Sequence, residues 1–283
     1  MAASGFARAM ARVQVHEGGK VDDPADPGGR TNQGVTQRVY NAYRARKGLP
    51  IRDVYLMEPH ERDEIYRFQY WNVIKGDQLP PGLDYVVFDG AVNSGPVQSV
   101  KWLQRALGVE LIDGNIGTAT LRAIEECEDH DRLIALICDR RMAFLRSLKT
   151  WGRFGKGWSS RVNSVEVTGQ AWAMGSVGPA VSYIPNGDRK ATIADAKPMP
   201  VKAAADIATT SGVASGGTAS AINQAKDAIE PYTMLSEHIA TIFTVLVVAG
   251  VVLTVGGLAW RAWANHRAKK LSDALDLPKG VAA

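Results

Sequence analysis

Residues 16–36 read HEGGKVDDPADPGGRTNQGVT and hold the densest set of chemistry-bearing side chains in the chain. Just before them, Phe6, Met10 and Val13 fall at i, i+4 and i+7, one face of a short helix. Gly18-Gly19 predicts its stop, because glycine takes the left-handed C-terminal conformation without strain. Glu17 therefore sits at the helix end, where the negative pole of the helix dipole disfavours a carboxylate charge. That is a setting for a general acid. Residues 20–36, rich in Pro, Gly, Asp and Thr, read as turns or a small hairpin. On this segment Asp22 and Asp23 precede Asp26, which is expected to stay ionised in a polar turn, and Thr31 follows five residues on. Two carboxylates across a cleft are what glycoside hydrolysis requires, one as proton donor and one beside the developing cation or the attacking water. Acidic residues in a Pro/Gly loop also serve as solvated turn formers or a weak calcium site. The Asp-x-Asn-x-Asp spacing of a calcium loop is missing, so neither metal nor cofactor is expected.

Outward from this segment the pattern is helical and strands are a minor component. Pro59 with Glu58 and Glu61 predicts a helix start, followed by Ile65, Phe68, Gln69 and Trp71 at near-helical spacing. Pro80-Pro81-Gly82 is a break. Leu83 to Leu107 reads as two helices interrupted at Asn93–Pro96. Thr118 is expected to cap a helix beginning at Ala119, and Asp131 to Leu148 forms a further helix. The chain has 283 residues, 46% hydrophobic, a net charge of +4 and two cysteines. This excludes wholesale disorder and a disulfide scaffold. The balance is mildly basic, short of a nucleic-acid-binding composition, and favours anionic partners such as wall polymers or phospholipid heads.

The segment resembles the catalytic motif of glycoside hydrolase family 108, the N-acetylmuramidases of phage endolysins and related secretion activators. The resemblance rests on Glu17-Gly18-Gly19, on Asp23-Pro24-Ala25-Asp26-Pro27-Gly28-Gly29-Arg30-Thr31 and on Gly34-Val35-Thr36. It extends through Ile65-Tyr66, Tyr70-Trp71, Phe88-Asp89 and Ala91-Val92-Asn93-Ser94-Gly95. Lys20 departs from the pattern, in which an aromatic often follows the glycines. The Glu, Asp, Thr order is similar to the triad of phage-type lysozymes, although the last gap is one residue shorter here. The resemblance implies a mainly α (α+β lysozyme-like) fold with a small β-hairpin near the active site. It implies Glu17 as the catalytic acid, with Asp26 and Thr31 beside it, and Asp89, Asn93, Tyr70 and Trp71 as substrate-binding residues. Leu103-Gln104-Arg105-Ala106-Leu107-Gly108 and Asp113-Gly114-Asn115-Ile116-Gly117-Thr118-Ala119-Thr120 resemble the family's predicted peptidoglycan-binding region. The implied activity is hydrolysis of the β-1,4 bond between N-acetylmuramic acid and N-acetylglucosamine.

Other residues have more than one reading. Cys127 and Cys138 are expected to be reduced core residues. His16 either tunes Glu17 or is a solvated helix-end residue, and His60 and His130 read as surface residues. Trp71, Trp102, Trp151 and Trp158 are core aromatics by spacing, with one or two free to stack on sugars. Asn93 either caps a turn or offers its amide to an N-acetyl group. Arg140, Arg141, Arg146 and Lys149 read as a solvated helix face, with contact to anionic wall polymer as the alternative.

Beyond residue 174 the composition turns to Gly, Ser, Ala, Thr and Pro, a linker with a span of roughly 35–40 Å. Ile239 to Trp260 is uncharged and reaches the ~20 residues needed to cross a bilayer. Arg261, His266, Arg267, Lys269 and Lys270 follow, which places the C-terminus in the cytoplasm. Export of the preceding domain conflicts with the lack of a secretory signal in residues 1–10. The expected organisation is a catalytic region at 1–95 and a helical peptidoglycan-binding region at 96–174. A linker with a short helix at 175–237, a transmembrane helix at 238–260 and a basic tail at 261–283 follow. The expected location is the bacterial inner membrane with the catalytic domain acting in the periplasm. Peptidoglycan, inner-membrane lipid and a holin or other lysis proteins are the expected partners, with no nucleic acid. The expected role is that of a phage or prophage endolysin. Wall remodelling for protein secretion is one alternative, and a non-catalytic wall-binding anchor is another.

Overall fold

The computed structural model describes residues 5–21, 29–200 and 237–277, with the side chains of residue 21 and of residues 237–254 outside the description. The chain divides into two compact units, Met1–Lys197 and Pro198–Ala283.

In the first unit, α1 (Gly5–His16) buries Phe6, Ala9, Met10, Val13 and His16, the face anticipated from spacing. Glu17 follows immediately, its backbone N–H closing the last turn onto the Val13 carbonyl at 3.1 Å. The segment after it contributes three short strands, β1 (Lys20–Val21), β2 (Thr31–Asn32) and β3 (Val35–Thr36), in one antiparallel sheet. The hairpin proper is β2–β3, joined by Gln33 and Gly34 at φ 49° and 77°. Two consecutive left-handed residues make the tight turn whose twist matches the strands it joins. Thr36 then caps α2 (Gln37–Arg46), its side chain accepting from the Val39 N–H.

Glu58 and Glu61 form a reciprocal capping box that starts α3 (Pro59–Tyr66), with Pro59 in the first turn. Inside this box Glu61 also accepts from Tyr40 at 2.6 Å and Arg44 at 2.7 Å, and pairs with Arg52, which ties α2 to α3. The chain continues through a widened π turn at Arg67–Trp71.

The centre of the unit is α4 (Leu83–Ser94), in which every residue from Leu83 to Asn93 is buried. A helix covered all round belongs in a core. Here α1, α5 (Pro96–Leu107), α7 (His130–Arg146) and α8 (Trp151–Ala173) surround it. The break between α4 and α5 falls at Gly95, inside the expected interruption. The small α6 (Thr118–Glu125) has Gly117 as its N-cap, so Thr118 is the first helical residue and supplies no cap hydrogen bond. Trp71 packs edge-on against Phe6 and Phe88 at centroid distances of 5.5 and 5.3 Å, and Trp102 packs against Phe144 at 5.5 Å.

The first unit does not stop where the linker composition begins. Residues beyond α8 run back across it to Lys197, where an isolated antiparallel bridge joins Leu148 to Ala196. In the second unit, α9 (Glu237–Ala274) is a continuous helix of 38 residues covering the uncharged run. Most of that run has its side chains outside the described residues. Among the described residues no helix is long and apolar enough to cross a membrane.

Candidate active site

Glu17 is held at the C-terminal end of α1 with its side chain only 2% exposed. Both of its oxygens are engaged by cations. Oε1 accepts from Arg161 Nη1 at 3.1 Å, and Oε2 accepts from Lys190 Nζ at 2.9 Å. Across the sheet, the close approach of Gly34 brings the hairpin to this carboxylate. A Cβ built on Gly34 would lie 2.2 Å from the Tyr66 hydroxyl and 2.6 Å from Glu17 Oε2. Glycine is the residue that fits both this contact and the turn geometry. Tyr66 donates to the Gln33 carbonyl at 2.9 Å. Burial, and then the negative charge of Glu17, push its phenol well above the ordinary range, so it stays a neutral donor.

Beneath Glu17 lies a fully buried ion cluster. Arg161 on α8 grips Asp89 on α4 through Nε at 3.0 and 3.1 Å and Nη2 at 2.8 Å. Arg141 on α7 adds a bond to Asp89 Oδ1 at 2.7 Å. Burial alone would push the Asp89 carboxyl up, but the two guanidinium groups outweigh it and hold it well below the usual range. Arg161 Nη1 also donates to the Gly187 carbonyl at 3.0 Å. His16 lies among these charges, fully buried, and neither ring nitrogen has a hydrogen-bond partner among the described residues. Burial lowers its pKa, so it is neutral at neutral pH. It is not the solvated residue that a helix-end position suggested.

The remaining residues singled out from sequence separate clearly. Asp89 is a buried counter-ion with no surface to offer a glycan, because α4 is the core helix. Trp71 is likewise fully buried, its indole N–H donating to Asp77 at 3.0 Å, so it presents no stacking face. Tyr70 is half-buried, with its ring 5.5 Å from that of Tyr66 and hence near the hairpin side of Glu17. Asn93 is buried and its amide donates to the Arg189 carbonyl at 2.8 Å. Thr31 lies on β2 with its hydroxyl donating to the Gly29 carbonyl at 3.0 Å. Asp26, with Asp22 and Asp23, lies outside the described residues. Lys20, the departure from the motif, places its ammonium 5.4 Å from the Tyr55 ring centre. Cys138 is buried and Cys127 half-buried, and both are free thiols. Arg141 is buried on Asp89, which corrects the reading of it as part of a solvated face.

Sequence reading passed over Arg161 and Lys190. The signal for Arg161 was present, since it shares the apolar face of α8 with Trp158, Val162 and Val165, all buried. An arginine in such a row is expected to have an internal carboxylate partner. Nothing in the linker-like composition around Lys190 marked it.

Three comparisons bear on this site. The family profile described as Glycosyl hydrolase 108 matches residues 10–95, which include Glu17, the hairpin and α4. The profile described as Predicted Peptidoglycan domain matches residues 98–163, which supply Arg141 and Arg161. Among solved structures, that of Brucella abortus SagA is similar at 42% identity and a TM-score of 0.52, over 59% of this chain and 95% of that one. No curated protein matches.

Proposed function

This chain belongs to the glycosyl hydrolase 108 family, a glycoside hydrolase acting on peptidoglycan, and from that premise we propose that it is an N-acetylmuramidase. The bond cleaved is the β-1,4 link from N-acetylmuramic acid to N-acetylglucosamine. Glu17 donates a proton to the glycosidic oxygen as that bond breaks. The family resemblance assigns the second role to Asp26 together with Thr31, which is to stabilise the oxocarbenium-like transition state or orient water. The reading is carried by the Glu17 carboxylate. It is buried, set at a helix C-terminus, framed by the hairpin, and fixed from below by Arg161.

The proposal includes anchoring at the inner membrane. The uncharged run Ile239–Trp260 and the cationic cluster after it support a span with the tail in the cytoplasm and the catalytic unit in the periplasm. The role that fits such an anchor is host lysis by a phage or prophage, alongside membrane lipid and a holin.

The test is turbidity loss of purified peptidoglycan by the full chain in detergent, beside Glu17→Gln, with products reduced and read by mass spectrometry. Clearing by the wild type alone, with muramic acid at the new reducing ends, is expected. Equal clearing by Glu17→Gln removes Glu17 as the acid, and release of non-muramic reducing ends removes the muramidase. Protease accessibility of the catalytic unit in spheroplasts checks the orientation.

A further inference from the structure

The stretch after α8 has the composition of a tether yet lies across the catalytic centre. It leaves α8 with the Val177 carbonyl accepting from the Trp172 indole at 2.9 Å, and crosses α1 where Arg12 donates to the Pro179 carbonyl at 2.6 Å. It then passes so close to α8 that a Cβ on Gly157 would lie 2.4 Å from the Pro185 carbonyl oxygen. Over the site, the Gly187 carbonyl takes Arg161 Nη1, and the Arg189 carbonyl takes both the Asn93 amide and the Trp158 indole at 2.8 Å. Lys190 sits on Glu17, and the Ala191 N–H returns to the Asn93 carbonyl at 3.0 Å. Lys190 is 40% exposed while the Glu17 side chain beneath it is 2% exposed, so the lysine stands between the carboxylate and solvent.

We propose that residues 184–191 form an autoinhibitory strap, closed in this structure, which glycan must displace before Glu17 can act. The inference rests on the muramidase reading and adds its regulation. A general acid must come within hydrogen-bond reach of the glycosidic oxygen. Here both carboxylate oxygens are already taken by Arg161 and Lys190, and Asn93 is spent on the strap backbone. The strap is built to leave. From residue 184 to 191 only Gly187 and Ala191 are buried, so its hold is polar and buries little apolar surface. Segments of that kind open at the low end of the local stability scale. The family-matched residues end at 163, before the strap begins. The segment that follows the strap ends at Lys197, directly before the second unit starts at Pro198.

The experiment uses the full chain in two variants. Lys190→Ala removes the cap. Gly18→Cys with Asp188→Cys, on a Cys127→Ser background, locks the strap when oxidised. A Cβ on Gly18 lies 3.2 Å from Asp188 Oδ2, so the two positions are neighbours, and mass spectrometry of the oxidised protein verifies the bond before assay. Each form is assayed for initial rate on peptidoglycan and, by calorimetry, for affinity toward soluble fragments of alternating N-acetylglucosamine and N-acetylmuramic acid. If the strap is closed nine-tenths of the time, freeing it tightens apparent affinity about tenfold. Lys190→Ala is expected to bind more tightly and clear faster. The oxidised pair is expected to lose both binding and clearing, with reduction restoring them. Equal rates and affinities for wild type, Lys190→Ala and the two redox forms overturn the strap. If no form cleaves, the hydrolase reading has failed, and affinity still decides. Tighter binding by Lys190→Ala and weaker binding by the oxidised pair sustain the strap, while equal binding overturns it.

Discussion

Arg161 and Glu17 stand 144 residues apart in sequence and 3.1 Å apart in space. The same guanidinium grips Asp89, so one side chain from the peptidoglycan-domain region fixes both the Glu17 carboxylate and the core helix α4. The two matched regions therefore share one centre. Removing Arg161 leaves Asp89 with a single cation, Arg141, and Glu17 without its inner partner. Breaking a buried pair by deleting one partner costs about 3–5 kcal/mol. Arg161→Met is expected to lower unfolding stability by that amount and abolish clearing. Urea denaturation followed by circular dichroism reads the stability, and an unchanged midpoint refutes the assignment of Arg161 as the keystone of the cluster.

The same cluster sets the acid limit of the fold. Asp89 titrates well below its unfolded value, because Arg161 and Arg141 outweigh its burial. A carboxyl depressed in the folded state contributes stability that is present above its unfolded pKa of about 4 and is lost as pH falls below it. Asp89→Asn is expected to be markedly less stable than wild type at neutral pH. The gap should narrow as pH is lowered below about 4. Urea unfolding across a pH series measures the gap, and one that stays constant down to strong acid contradicts the assignment.

Much of this arrangement was legible from local rules. The Phe6, Met10, Val13 spacing, the helix start at Pro59 with Glu58 and Glu61, and the Asn93–Pro96 interruption act within a few residues, and each appears where the sequence put it. The burial of Asp89 and Trp71 is not legible in the motif, because a match says that a residue matters, not which way it faces. Only the central place of α4 shows that both are enclosed. The third strand, β1, and the pairings of Arg161 and Lys190 with Glu17 depend on contacts between distant segments. The Lys190 contact is the extreme case, since polar backbone bonds hold a stretch that composition marks as tether.

Gly34 tests how closely the hairpin is fitted to Glu17. At φ +77° any side chain is strained, and a Cβ there meets the Tyr66 hydroxyl and Glu17 Oε2. Gly48 has a similar φ of +68° with nothing within 4 Å of a Cβ. Gly48→Ala is thus expected to cost about 1 kcal/mol from backbone strain alone. Gly34→Ala should cost about 1–3 kcal/mol more, because overpacking is added, and clearing should fall with it. Thermal melts and the turbidity assay on the two variants compare them directly. Equal losses show that Glu17 tolerates the intrusion and that the contact does not position it.

Asp84 gives a pH effect of the opposite sign in a separate window. It is buried at the start of α4, accepting from the Gly82 and Tyr85 N–H groups at 2.8 and 2.7 Å. Desolvation raises its pKa to about 6, and the two backbone bonds offset this only in part. Between its unfolded value of 3.8 and about 6 the folded protein binds the extra proton, so stability falls as pH rises through that range. A shift of about two units corresponds to about 3 kcal/mol. Asp84→Asn keeps the side-chain oxygen for both backbone donors and has no proton to lose. The variant should match the wild type near pH 4 and exceed it increasingly up to about pH 6, by as much as that amount. Asp89 acts below this window, so the two effects do not mask each other. Unfolding free energies of both proteins from pH 4 to pH 7 decide the matter. Parallel curves mean that Asp84 is ionised throughout and that the two backbone bonds outweigh its burial.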